Sequence, residues 1–147
     1  MEPLDLTVRP PRGPREQGAG ITFLPRTIDK LRAQLPGGKI GAYLVDGPGT
    51  ASGYLLHKLR IPVDELREVV ARAANDDEVY AWVAARVDPA VIVDVNAKLA
   101  GMRVDALEGE NADRVDRIYP GLRGQPGIAT MHDLLEADDA RSFPANA

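Results

Sequence analysis

The chain has 147 residues, a net charge of −4 and no cysteine. That length predicts one domain over residues 1–147, large enough to bury roughly 70% of its unfolded surface without a staple. The lack of cysteine excludes disulfides, thiolate zinc sites, iron–sulfur clusters and cysteine nucleophiles.

Apolar residues make up 44% and charged residues 27%, as in an ordinary soluble protein, and a cytoplasmic location is expected. Aromatics are only 5%, so the core must be Leu, Val, Ile and Ala. The N-terminus has no apolar run like that of a signal peptide, and Ala90-Val91-Ile92-Val93 is too short to cross a membrane. Charge is unevenly spread. Residues 1–39 carry a net of +3, residues 40–102 a net of −3 and residues 103–147 a net of −4. The simplest outcome is a basic arm docked on the chain's own acidic remainder, the last helix included.

Residues 1–19 read as an extended Pro/Arg-rich arm, because proline fixes φ and removes backbone donors. The first helix is predicted over 24–35, with Pro25 in its first turn and Pro36-Gly37-Gly38 as its stop. Gly41 to Val45 forms a short strand or a helical turn. Asp46-Gly47-Pro48-Gly49 is a turn, and Thr50 caps a helix over 51–60. Pro62 starts the next helix, with Leu66, Val69 and Val70 on its apolar stripe. Asn75 and Glu78 form a capping box for a helix over 76–87, whose Val79, Trp82, Val83 and Val87 face inward. Asp88-Pro89 opens a fifth helix that stops at Gly101. Short helices follow over 112–119 and 129–140, and residues 144–147 fray. The fold class is therefore all-α: a compact bundle of five to seven helices with an extended arm.

Several stretches together resemble a known family. They are Pro3-Leu4-Asp5-Leu6-Thr7, Arg9-Pro10-Pro11-Arg12-Gly13-Pro14-Arg15, Arg26-Thr27-Ile28-Asp29-Lys30, Leu35-Pro36-Gly37-Gly38, and the closing run from Asp133 to Phe143. The chain is similar to a bacterial family known as domain of unknown function family 5069, over nearly its whole length. The resemblance implies a small, largely helical, soluble bacterial protein. It implies no activity.

Chemistry concentrates on the first helix. Leu24, Ile28, Leu31 and Leu35 share its apolar face, while Arg26, Asp29 and Lys30 project from the other. Taken as spacing alone, these charges form an exposed ladder of i,i+3 and i,i+4 pairs, each contributing a few tenths of a kcal/mol. If another element covers that face, they become a site. Arg26 would bind an anionic group, Asp29 would be base or orienter, and Lys30 would be an acid or a nucleophilic amine. Tyr43 would be a second proton donor. Two readings follow: a cofactor-independent acid–base enzyme acting on a small polar or anionic ligand, or a non-enzymatic module that docks a partner protein.

Other chemistries find less support. Gly38-Lys39 is not followed by Ser or Thr, so there is no P-loop. His132 and Glu136 lie one turn apart on what reads as a solvated acidic helix, and no metal site is expected. A pI near 5.2 and an arm without interleaved aromatics argue against nucleic acid. Ser52 reads as a helix-start residue.

Overall fold

A computed structural model describes residues 1–47 and 49–144. The expected Pro48 turn position and most of the predicted frayed tail lie outside these residues. The described chain is mostly helical and forms two compact units, Met1–Asn96 and a second from Ala97 onward.

The first unit opens with residues that are not helical but are tied down. Leu6 N–H donates to the Lys39 carbonyl at 2.7 Å and Lys39 N–H to the Leu4 carbonyl at 2.9 Å, making a parallel bridge between Asp5 and Lys39. Leu4 and Leu6 are buried there beside Ala33. The Met1 ammonium donates to the Val70 and Ala73 carbonyls at 3.2 and 2.7 Å.

A small hairpin follows, which the all-α reading did not include. β1 (Gln17–Gly18) pairs antiparallel with β2 (Ile21–Thr22), in the register Gln17 to Thr22 and Gly18 to Ile21. Its two-residue turn places both Ala19 (φ 53°) and Gly20 (φ 73°) in the left-handed region, the backbone twist that suits a tight hairpin. Asn96 holds the hairpin from the side. Its Oδ1 accepts from Thr22 N–H at 2.9 Å and its Nδ2 donates to the Gly20 carbonyl at 2.8 Å.

The helices of this unit are α1 (Leu24–Ala33), α2 (Ala51–Leu59), α3 (Val63–Arg72), α4 (Asp76–Ala84) and the start of α5 (Pro89–Ala100). Local chemistry explains their starts. Thr50 Oγ1 accepts from Gly53 N–H at 3.1 Å and caps α2. Asn75 Oδ1 accepts from Glu78 N–H at 3.1 Å and caps α4. The expected reciprocal bond is displaced by one residue, since Glu78 accepts from Ala74 N–H. Asp64 and Glu65 sit in the first turn of α3, where the helix dipole favours them. Leu24, Ile28 and Leu31 of α1 are fully buried, as are Leu55, Leu66, Val70, Val79 and Val83 from the following helices. Each such side chain contributes about 1.5–3 kcal/mol on burial.

Two expectations fail here. Residues 41–45 form a turn and coil rather than strand or helix. Trp82 is only half-buried, with the Arg86 guanidinium stacked 3.8 Å from its ring centroid, so it is not a core residue.

The second unit carries α6 (Gly109–Ile118) and α7 (Met131–Ser142). Its core is Val104, Val115, Leu122 and Leu134. Val104 N–H donates to the Ala129 carbonyl and Met131 N–H to the Met102 carbonyl, both at 2.9 Å. Thr130 and Asp133 form a full capping box at the start of α7. Arg123 binds Asp116 through two nitrogens at 2.8 and 2.7 Å. His132 is 4% exposed and Asp139 9%, so this face of α7 is not the solvated surface that its sequence suggests.

Candidate functional site

α1 is buried on its polar as well as its apolar face, Arg32 excepted. Nine of its ten residues are buried, including Arg26 at 1% exposure, Asp29 at 4% and Lys30 at 6%. The exposed charge ladder expected from the sequence is therefore overturned. The helix starts unusually. Phe23, its N-cap, has φ 75°, a left-handed conformation that is a genuine outlier for a bulky residue. Pro25 lies in the first turn, where a missing N–H costs nothing.

Residue 12 covers one part of the polar face. Arg12 N–H donates to Asp29 Oδ2 at 2.7 Å, and its Nη2 reaches Asp29 Oδ1 at 2.9 Å. The same guanidinium reaches Asp76 Oδ2 through Nη1 at 2.7 Å and Asp76 Oδ1 through Nη2 at 3.1 Å. The Tyr80 hydroxyl stands 3.5 Å from Nη1. Arg32 Nη1 lies 3.9 Å from the same Asp29 Oδ1. Burial alone would lower the Arg12 pKa, but its hydrogen bonds to Asp76 and Asp29 outweigh that and raise it. Tyr80 is also shifted upward, first by burial and then by the Asp76 charge, with Arg12 offsetting part of the effect.

Arg12 also joins this clamp to Arg26, whose Nη1 donates to the Arg12 carbonyl at 3.1 Å. The Arg26 guanidinium packs against the rings of Phe23 and Tyr43, 5.8 and 5.5 Å from their centroids. Tyr43 is half-buried. One turn further on, Lys30 Nζ lies 5.2 Å from the Phe23 centroid and donates to Ser52 Oγ at 3.2 Å. Ser52 Oγ is 3.1 Å from Thr27 Oγ1, which donates to the Phe23 carbonyl at 3.0 Å. Ser52 and Thr27 are both fully buried. An open groove of about 600 Å³ lies elsewhere, at the end of α2, and is lined by Leu56, His57, Lys58, Arg60, Ile61 and Pro62 without any of these residues.

This arrangement sits inside a recognisable sequence family. A family model described as "Domain of unknown function (DUF5069)" matches residues 8–141. The chain belongs to this family. No curated protein matches it significantly.

In this DUF5069 chain, α1 supplies Arg26, Asp29 and Lys30, and Tyr43 packs against Arg26. Asp29 is gathered into the Arg12 clamp, while Lys30 meets Ser52. Sequence reasoning missed three members. Arg12 was one of several arginines in the arm, and it pairs with Asp29 and Asp76 of its own unit. Ser52 and Asp76 each read as a residue of a helix start. Nothing local in the sequence sets them apart, since their partners lie 22 and 64 residues away.

Proposed function

We propose that this DUF5069 chain is a cofactor-independent enzyme that performs acid–base chemistry on a small polar or anionic molecule at α1. In this reading Arg26 holds an anionic group and Lys30 moves the proton. Tyr43, at the half-buried edge, supplies a second donor. Asp29 is the orienter rather than the base, because its carboxylate already accepts from the backbone and side chain of Arg12.

The observation that carries the reading is the burial of Arg26, Asp29 and Lys30 together on one helix. Buried ions are costly, and well-packed apolar residues in their place are often as stable or more so. A fold that keeps three within two turns has a use for them beyond stability. The test is a thermal-denaturation screen against small carboxylates, phosphates and amino acids, run on wild type and Lys30→Met. A ligand at a hundredfold excess over its Kd should raise the wild-type melting temperature by about 5–10 °C and leave the variant unmoved. A panel without a hit, or equal responses from both proteins, contradicts the reading.

One observation favours the alternative, a module that docks a partner protein. Val8 is 66% exposed and Leu44 55%. Charged replacements at both positions would abolish partner capture in that case, and would leave ligand binding at α1 intact in the first.

A further inference from the structure

α2 ends in a backbone state that its sequence does not favour. Arg60 N–H donates to the His57 carbonyl at 3.1 Å and Ile61 N–H to the Leu56 carbonyl at 3.0 Å. This paired closure ends many helices, and it holds one residue in the left-handed region, where glycine is usual. Here that residue is Arg60, at φ 56° and ψ 41°. A side chain makes the state costly, and glycine would hold it without strain. Strain that the surrounding structure maintains points to a use for the side chain placed there.

Arg60 stands in the wall of the open groove of about 600 Å³ at this helix end. The groove has Leu56, Ile61 and Pro62 as its apolar residues and His57, Lys58 and Arg60 as its polar ones, with no carboxylate in the lining. The next acidic residues along the chain, Asp64 and Glu65, lie in the first turn of α3, and Asp64 is paired with Arg67. Leu56 and Ile61 are buried, whereas His57 and Arg60 are exposed. Lys58 Nζ lies 5.5 Å from the Tyr54 ring centroid, a contact that leaves its charge uncompensated. Among the described residues, His57 and Arg60 have no ion pair and no side-chain hydrogen bond. Arg12, Arg32 and Arg67 of the same unit each meet a carboxylate. Arg60 does not.

Pockets for small molecules bury most of their ligand and are lined mainly by apolar groups. This groove is open, and half its lining residues are polar. It suits a chain segment that lays an apolar side chain on the floor and sets carboxylates against the rim, the usual layout of a protein interface. We propose that the groove at the end of α2 docks an acidic segment of a partner protein, one with apolar residues between its carboxylates. Arg60 and Lys58 receive those carboxylates. Arginine fits the role because its planar fork can bind a carboxylate through two nitrogens. None of the polar residues of α1 takes part, so this proposal stands independently of the reading of that helix.

The probe is a fluorescein-labelled peptide of alternating glutamate and leucine, titrated with the full-length chain and followed by fluorescence anisotropy. A peptide of alternating glutamine and leucine is its uncharged counterpart. The glutamate peptide should bind saturably, about tenfold tighter than the glutamine peptide, and more weakly as salt is raised. Arg60→Gly should weaken it about tenfold without lowering the melting temperature, because glycine relieves the left-handed backbone. Lys58→Gln leaves the helix end untouched and should weaken it about threefold, which keeps the test decisive if Arg60→Gly alters the fold. Equal affinity for the two peptides, equal affinity of wild type and both variants, or no saturable binding overturns the proposal. Inorganic phosphate that displaces the peptide as well as unlabelled peptide does would make the groove a bare anion site, and the docking of a segment fails. A wild-type dimer that Arg60→Gly converts to a monomer in sedimentation would make a second copy the occupant, and the proposal fails again.

Discussion

Arg12 does the most at the scale of single residues. Its backbone and guanidinium together bind Asp29, its guanidinium binds Asp76, and its carbonyl receives Arg26. Tyr80 borders this clamp, and its raised pKa ties folding to pH. The folded state holds the phenolic proton more tightly than the unfolded chain does. That contribution is complete below the ordinary tyrosine value of 10.0 and is lost as pH rises through the folded pKa. Urea denaturation from about pH 9 to 11 should show wild-type stability falling, with a shallower fall for Tyr80→Phe. Equal slopes would show that Tyr80 is not the group responsible. The sequence pointed to Arg26, Asp29, Lys30 and Tyr43, because three lie on one short helix and the fourth follows closely. It could not point to Arg12 or Ser52. Their roles depend on contacts 17 and 22 residues away, which no local pattern encodes.

At the scale of elements, helical periodicity identified all seven helices found among the described residues, with ends displaced by a few residues. Periodicity says which side chains share a face. It does not say what covers the opposite face, which is why α1 read as half-exposed and is buried at nine of its ten residues. The hairpin escaped for a different reason. Two-residue strands are too short to show an alternating pattern, and Gly18-Ala19-Gly20 read as part of the arm. Gly18 nonetheless matters to the site. A Cβ there would lie 2.2 Å from Tyr80 Cε1, so alanine must displace the ring that borders Arg12. Gly18→Ala should cost about 1–3 kcal/mol by chemical denaturation. An unchanged midpoint would mean that Tyr80 can move without disturbing the clamp.

At the scale of the molecule, the segment totals say which stretches are basic and which acidic, and not which charges are buried. The basic first segment buries several of its charges inside its own unit, where Arg12 meets Asp29 and Asp76. The account turns on why α1 keeps buried ions at all. Each has bonds of its own within the unit, Lys30 to Ser52 at 3.2 Å among them, so removing one strands its partner whether or not a ligand binds. What separates a ligand site from a strut is therefore binding, not stability. The decisive measurement is the melting temperature of wild type and Lys30→Met with and without each of a panel of small carboxylates, phosphates and amino acids. The account predicts that one of them at a hundredfold excess over its Kd raises the wild-type value by about 5–10 °C and leaves the variant's unmoved. A panel without a hit, or equal shifts in both proteins, would contradict a ligand site at α1.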